Sequence, residues 1–171
     1  MGDPVVPGCV QVRLGLVNAF LVDSGGDSLV MIDAGVPIWF HRRRLLAAIE
    51  DAGRKPADLG DILITHQHID HAGGVAGIVV ATGARVHIHE LDAPELEAGS
   101  RPRPGTGQSA ITSLIAKSSR VMKLGRAKVD HYPVDGESLA GSLGIQAIHT
   151  PGHTLGHTSY LWPAHGGVLF A

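Results

Sequence analysis

The stretch that decides the reading is Thr65-His66-Gln67-His68-Ile69-Asp70-His71. Four side chains able to ligate a metal stand within six residues of it. Side chains of an extended segment alternate, so His66 and His68 point the same way and can hold one ion together. Asp70 and His71 lie just past the turn and can reach a second ion. Imidazole nitrogen suits Zn²⁺, and a carboxylate widens the choice to Mn²⁺ or Fe. Structural zinc sites usually recruit cysteine. The one cysteine of this chain, Cys9, is far from the cluster, so the pattern points to a catalytic ion.

The flanks predict how the cluster is held. Asp61 to Ile64 reads as a strand covered on both faces. Gly73-Gly74 follows, then a short buried helix over Val75 to Ala81 and a strand over Arg85 to His89, a βαβ-type order. Ligands on a strand-to-helix loop are fixed by rigid elements on both sides. Upstream, Ala19 to Val22 and Leu29 to Ile32 flank Gly25 and Gly26 and predict a hairpin. A helix is predicted over Ile38 to Ala52, stopped by Gly53. Downstream come a loop over Ala98 to Gly107, an amphipathic helix over Ser109 to Leu124, and strands near His131 to Val134 and Ile145 to Ile148. A last hairpin joins Ser159 to Trp162 with Val168 to Ala171. That final strand is apolar to its end, and we expect the domain to continue beyond it.

A second segment, Thr150-Pro151-Gly152-His153-Thr154-Leu155-Gly156-His157-Thr158, carries two more histidines. Pro151 and Gly152 force a turn after a strand. That turn presents His153 as a third ligand for the ion of His66 and His68. His157 is expected to support the loop by a hydrogen bond rather than to bind metal. His87 and His89 share a strand face and resemble a metal pair, but Glu90 and Asp92 follow on what reads as a surface turn, so the pair reads as structural. His41, His131, His149 and His165 read as solvated positions or site rim. Trp39 and Phe40, at a helix start, read as core.

The bulk composition narrows the function classes. The chain has 171 residues, 44% apolar and 18% charged, with 11 histidines, 23 glycines and net charge −2. This fits one domain over residues 1–171. It lacks the basic footprint of a nucleic-acid or anionic-membrane partner. Arg42-Arg43-Arg44 and Arg101-Pro102-Arg103 are local clusters only. A lone cysteine, with no basic start leading into an apolar run, predicts a cytoplasmic protein.

His66-x-His68-x-Asp70-His71, together with Val30-Met31-Ile32-Asp33-Ala34-Gly35 and Thr150-Pro151-Gly152-His153 with Gly156-His157, resembles the metallo-β-lactamase fold superfamily, and within it members similar to glyoxalase II. The motifs run from Asp33 to His157. The resemblance implies an α/β (α+β) four-layer αββα sandwich, incomplete at the C-terminus, with its site at one edge of two sheets. It implies one metal on His66, His68 and His153, a second on Asp70 and His71, and Asp33 orienting the ligand loop. It also implies a bridging aspartate and a further histidine, at positions beyond Ala171.

The chemistry expected is hydrolysis of an ester, thioester, lactone or lactam of a small molecule. The water is activated by one or two Zn²⁺ ions, with Mn²⁺ or Fe possible, and Asp70 orients it. The alternatives are an inactive or non-catalytic metal-binding fragment, or a nuclease or iron oxidoreductase of the same fold.

Overall fold

A computed structural model of the chain describes residues 2–99, 124–139 and 143–171. Its centre is β4 (Leu29–Ile32), whose four residues are all buried. Alternate side chains of a strand face opposite ways. Leu29 and Met31 enter one apolar cluster, and Val30 and Ile32 enter another. Ile62 and Leu63 divide in the same way. A strand with two dry faces must lie between two layers, which is the reason for the near-continuous apolar runs in the sequence.

The first sheet has six strands in the order β1 (Asp3–Val6), β2 (Cys9–Arg13), β3 (Asn18–Val22), β4, β5 (Leu59–Leu63) and β6 (Arg85–His87). Its first four strands pair antiparallel, and β4, β5 and β6 run parallel. The helices α1 (Trp39–Asp51), α2 (Ile69–Ala72), α3 (Val75–Thr82) and α4 (Ala93–Ala98) each place buried residues in the first cluster. The second sheet has the order β10 (Val168–Phe170), β9 (Thr158–Trp162), β8 (Ile145–His149) and β7 (Ser138–Leu139), all antiparallel. Tyr160, Trp162, Ile145 and Phe170 meet Val22, Val30, Ile32 and Leu63 in the second cluster. The described residues therefore form helix, sheet and sheet in sequence. This is the mixed α/β sandwich expected, and the second helical layer is not among them.

Several boundaries differ from the sequence reading. The strands β1 and β2 were not foreseen, because β1 is largely exposed and shows no alternating core pattern. The expected strand over His131 to Val134 is reduced to a single parallel bridge between His131 and His87. Pro133 has no N–H to give a ladder, and Asp135-Gly136 turns the chain. The strand at Arg85 ends at His87, two residues early. Trp39 and Phe40 are exposed rather than core. The predicted helix Ser109 to Leu124, and the loop Ala98 to Gly107 beyond Gly99, lie outside the described residues, with Leu124 at the edge of what is described. No helix among the described residues is long and apolar enough to cross a membrane.

Candidate metal centre

The cluster sits where β5 gives way to α2. Ile64 still belongs to the sheet edge, its N–H donating to the His87 carbonyl at 2.9 Å. The chain then turns, and His68 caps α2 with an extended backbone while its carbonyl accepts from the His71 and Ala72 N–H groups. A second loop, after β4, packs beside it. The Ala34 N–H donates to the His71 carbonyl at 2.8 Å, and the Gly74 N–H to the Gly35 carbonyl at 2.8 Å. Gly74 must be glycine here, because any Cβ would run into the Ala34 carbonyl.

Asp33 adopts φ 59°, in the left-handed region that few residues other than glycine tolerate. The conformation turns its carboxylate, which is 5% exposed, into the ligand loop. It accepts from the Thr65 N–H at 2.9 Å, from the Thr65 hydroxyl at 2.9 Å, and from His71 Nδ1 at 2.7 Å. These contacts fix a tautomer. A carboxylate only accepts, so the Thr65 hydroxyl gives its proton to Asp33. Thr65 Oγ1, 3.0 Å from His66 Nδ1, must then accept from that ring. The proton of His66 is thus on Nδ1, and Nε2 carries a free lone pair. His66 is 3% exposed, and its Nε2 is buried with no hydrogen-bond partner. Burial, reinforced by the surrounding imidazoles of His71, His68, His153 and His157, drives its protonation far below the usual histidine range.

That lone pair faces company. Ring centroids lie 4.8 Å apart for His66 and His68, 4.6 Å for His66 and His153, and 4.6 Å for His68 and His153. One ligand nitrogen from each of the three lies within 4.8 Å of the others. His68 Nδ1 and His153 Nε2 are 2.9 Å apart. Three nitrogens around one zinc, at bonds of about 2.0–2.1 Å, stand roughly 3.3 Å from each other, so the triad is already close to what an ion requires. An orphaned buried nitrogen in an all-imidazole donor set fits Zn²⁺. His153 is exposed and His68 partly so, and the triad is therefore open on one side.

Asp70 and His71 stand next to this triad without joining it. His71 Nδ1 is committed to Asp33, while its Nε2 is 3.8 Å from Asp70 Oδ2. Burial alone would lower the His71 pKa; the hydrogen bond to Asp33 and the negative charges of Asp33 and Asp70 outweigh it and raise it. The Asp70 side chain is 38% exposed. His157 lies outside the triad, its ring 5.3 Å from that of His66, with Nδ1 2.9 Å from Thr150 Oγ1. Burial, with the nearby His153, lowers its pKa.

Other sequence readings are revised. His87 and His89 do not share surroundings. His87 is buried with Nε2 2.6 Å from Asp61, and His89 stacks on His149 at 4.2 Å. His41 is buried rather than solvated, its Nδ1 accepting from the Val36 N–H. Asp92, read as part of a surface turn, is 0% exposed. It, Thr65, Thr150 and Thr154 are polar residues at the site to which the sequence reading gave no role. Thr65 was legible as the neighbour of His66, but nothing local marks Asp92. The Cys9 thiol is buried, and burial pushes its pKa up to about 11, the direction that disfavours the thiolate.

With this geometry in hand, the chain can be set beside known proteins. The family model of the metallo-beta-lactamase superfamily matches residues 12–171. A hydroxyacylglutathione hydrolase of Pseudomonas aeruginosa is 31% identical over 137 residues, covering 74% of this chain and 41% of that protein. The probable metallo-hydrolase YflN of Bacillus subtilis is 29% identical over 169 residues, covering 95% of this chain and 61% of that one. Among solved structures, a metallo-β-lactamase of Cronobacter sakazakii superposes with a TM-score of 0.79 at 25% identity, covering 98% of this chain and 62% of that chain. The subclass B3 metallo-β-lactamase BJP-1 of Bradyrhizobium japonicum gives 0.76 at 28% identity, covering 95% and 58%. The chain thus spans between about two-fifths and three-fifths of these relatives' lengths.

Proposed function

The chain belongs to the metallo-β-lactamase superfamily, and from that premise we propose that it is a metal-dependent hydrolase holding a divalent cation between His66, His68 and His153. Zn²⁺ is the ion that three imidazoles suit best, with Mn²⁺ or Fe as the alternatives. The observation that carries the reading is the buried, unpartnered Nε2 of His66 beside two further imidazoles. Burying a polar atom without a partner costs on the order of 1–3 kcal/mol, and a bound cation removes that cost.

A cation held there supplies a Lewis acid and a water ionised near neutral pH. The protein's own part is positional. Asp33, through Thr65, keeps the His66 proton on Nδ1 and leaves the Nε2 lone pair free to hold a cation. Asp33 also fixes the His71 ring and leaves its Nε2 toward Asp70. Asp70, the exposed carboxylate of the set, accepts a hydrogen bond from the attacking water and, with His71, offers donors for a second cation. His157 braces the Thr150 turn that carries His153. No protein nucleophile is required.

The substrate we propose is a small ester, thioester, lactone or lactam. A hydroxyacylglutathione thioester is the first to try, because relatives bearing that hydrolase name match the chain. The net charge of −2 is against a nucleic-acid substrate. A cytoplasmic setting belongs to the same reading and suits the one buried thiol. The test is turnover and metal content of the protein. Thioester or lactone hydrolysis is expected to vanish on chelation, to return with Zn²⁺ or Mn²⁺, and to be absent when His66 and His68 are both alanine. Chelator-resistant hydrolysis that survives the double replacement would discard the reading. Metal bound at one equivalent with no turnover on a panel of esters would leave a metal-binding module instead.

A further inference from the structure

Two loops far apart in sequence supply the triad, and their spacing needs a cause. His66 and His68 come from the loop after β5, and His153 from the turn between β8 and β9. We propose that the buried carboxylate of Asp92 sets this spacing and is a positioning residue for the metal centre. Its importance for metal binding rests on the function proposed above; its hold on the loops does not.

Asp92 Oδ2 accepts from the Gln67 N–H at 3.0 Å and from the Thr154 hydroxyl at 2.6 Å. Asp92 Oδ1 accepts from the Gly156 N–H at 3.1 Å. Gln67 lies between His66 and His68, Thr154 directly follows His153, and Gly156 directly precedes His157. One side chain therefore bonds to the immediate chain neighbour of every histidine in the two motifs except His71. Asp92 is itself anchored through its backbone, since it stands at the N-terminal boundary of α4 and its N–H donates to the His89 carbonyl at 3.0 Å. Ala93 and Leu96 of α4 are packed in the core against the six-stranded sheet, so the carboxylate is a fixed post.

The glycine of the second loop records how close this approach is. A Cβ on Gly156 would stand 2.8 Å from Asp92 Cγ and Oδ1 and 2.9 Å from its backbone nitrogen, nearer than real Cβ atoms come. The loop rests on Asp92 so tightly that no side chain fits between them. A buried carboxylate satisfied by three donors from two loops is strong and directional, and it ties the loop of His66 and His68 to the loop of His153.

The experiment compares the wild type with Asp92→Asn and Thr154→Val. Asparagine keeps the volume but turns an N–H₂ group toward an N–H or hydroxyl donor. Zinc affinity is read by competition titration, and the Co²⁺-substituted visible spectrum reports the ligand geometry. Asp92→Asn is expected to weaken zinc about 10- to 100-fold, the usual effect of losing a partner behind the ligands, and to alter the Co²⁺ bands. Thr154→Val, which removes one donor, is expected to weaken zinc by a smaller factor and serves if Asp92→Asn does not fold. A metal-free crystal structure of each variant supplies an independent arm, in which the 2.9 Å approach of His68 to His153 should open. Unchanged loops in that structure, or variants that bind zinc with wild-type affinity and an identical Co²⁺ spectrum, would overturn the proposal. Wild type that binds no zinc would instead count against the metal reading, and the metal-free structures would still decide the role of Asp92.

Discussion

Asp33 directly follows β4, Asp61 lies on the neighbouring β5, and each is buried holding a histidine. Asp33 grips His71 Nδ1 at 2.7 Å, and Asp61 grips His87 Nε2 at 2.6 Å. Each neighbourhood also contains a buried imidazole nitrogen with no hydrogen-bond partner, His66 Nε2 in the first and His87 Nδ1 in the second. The difference lies in what stands opposite. Around His66, the rings of His71, His153 and His68 all lie within 4.8 Å, and those of His153 and His68 offer ligand nitrogens beside its own. Around His87, the ring of His131 lies 5.6 Å away and its Nε2 is 2.6 Å from Glu137. Among the described residues only the first neighbourhood gathers three donors. A bare nitrogen is therefore not enough to make a site; several must face one space, and here two loops had to meet to achieve it.

The largest effect should follow from removing the convergence. Replacing His66 and His68 with alanine should weaken zinc by on the order of a thousandfold or more, since two of three protein ligands are lost. His87→Ala should leave zinc affinity within about twofold, because separate sites act independently. Isothermal or competition titration of both variants checks this. Equal losses from the two would erase the distinction between the neighbourhoods.

Next in size is the fold. Asp61 is 4% exposed and pairs with both His87 and Arg85. Asp61→Ala leaves a buried imidazole and a guanidinium without their partner, and it should cost about 3 kcal/mol of stability. Urea unfolding of zinc-free protein measures it. The same variant should still bind zinc like the wild type. Asp33→Asn should do the opposite, weakening zinc about 10- to 100-fold at a smaller cost in urea midpoint. Asparagine cannot accept from Thr65 and His71 with both oxygens, so the tautomer of His66 is no longer imposed. Should Asp33→Asn bind zinc normally, the hydroxyl relay through Thr65 has no function.

What the sequence discloses follows the range of the interaction involved. The all-apolar β4, the apolar run Ile62 to Ile64 that closes β5, the helix α1 and the hairpin of β9 and β10 are local patterns, and they are readable. The His66 to His71 segment is local too, so its alternation could be read directly. His153 was placed with it by the turn chemistry of Pro151 and Gly152 and by the family resemblance. Asp92 escapes because its burial depends on donors 25, 62 and 64 residues away, and no window of sequence around it contains them. His41 escapes for another reason. Its partner Val36 is near, but the ring is covered by the packing of the loop around Gly35, where a Cβ would strike His41 and Leu14. The over-reading of His131 to Val134 has a plain cause, since β-rich residues around a proline cannot sustain a ladder.

The smallest effect sharpens the comparison from the second neighbourhood. Burial pushes the Asp61 carboxyl up, but the hydrogen bonds and charges of His87 and Arg85 outweigh it and leave the pKa lowered. A group whose pKa is depressed by folding binds its proton more weakly in the folded state than in the unfolded one. Its contribution is therefore complete above the unfolded value, about 3.9 for aspartate, and fades as pH falls through the lower folded value. The stability difference between wild type and Asp61→Asn should stay level from pH 7 to about pH 5 and shrink below about pH 4. Urea titrations of the zinc-free proteins across that span measure it. A difference that widens on acidification would mean that Asp61 is favoured in its protonated form, and the account in which His87 and Arg85 hold an ionised Asp61 would then fail while the metal centre stood untouched.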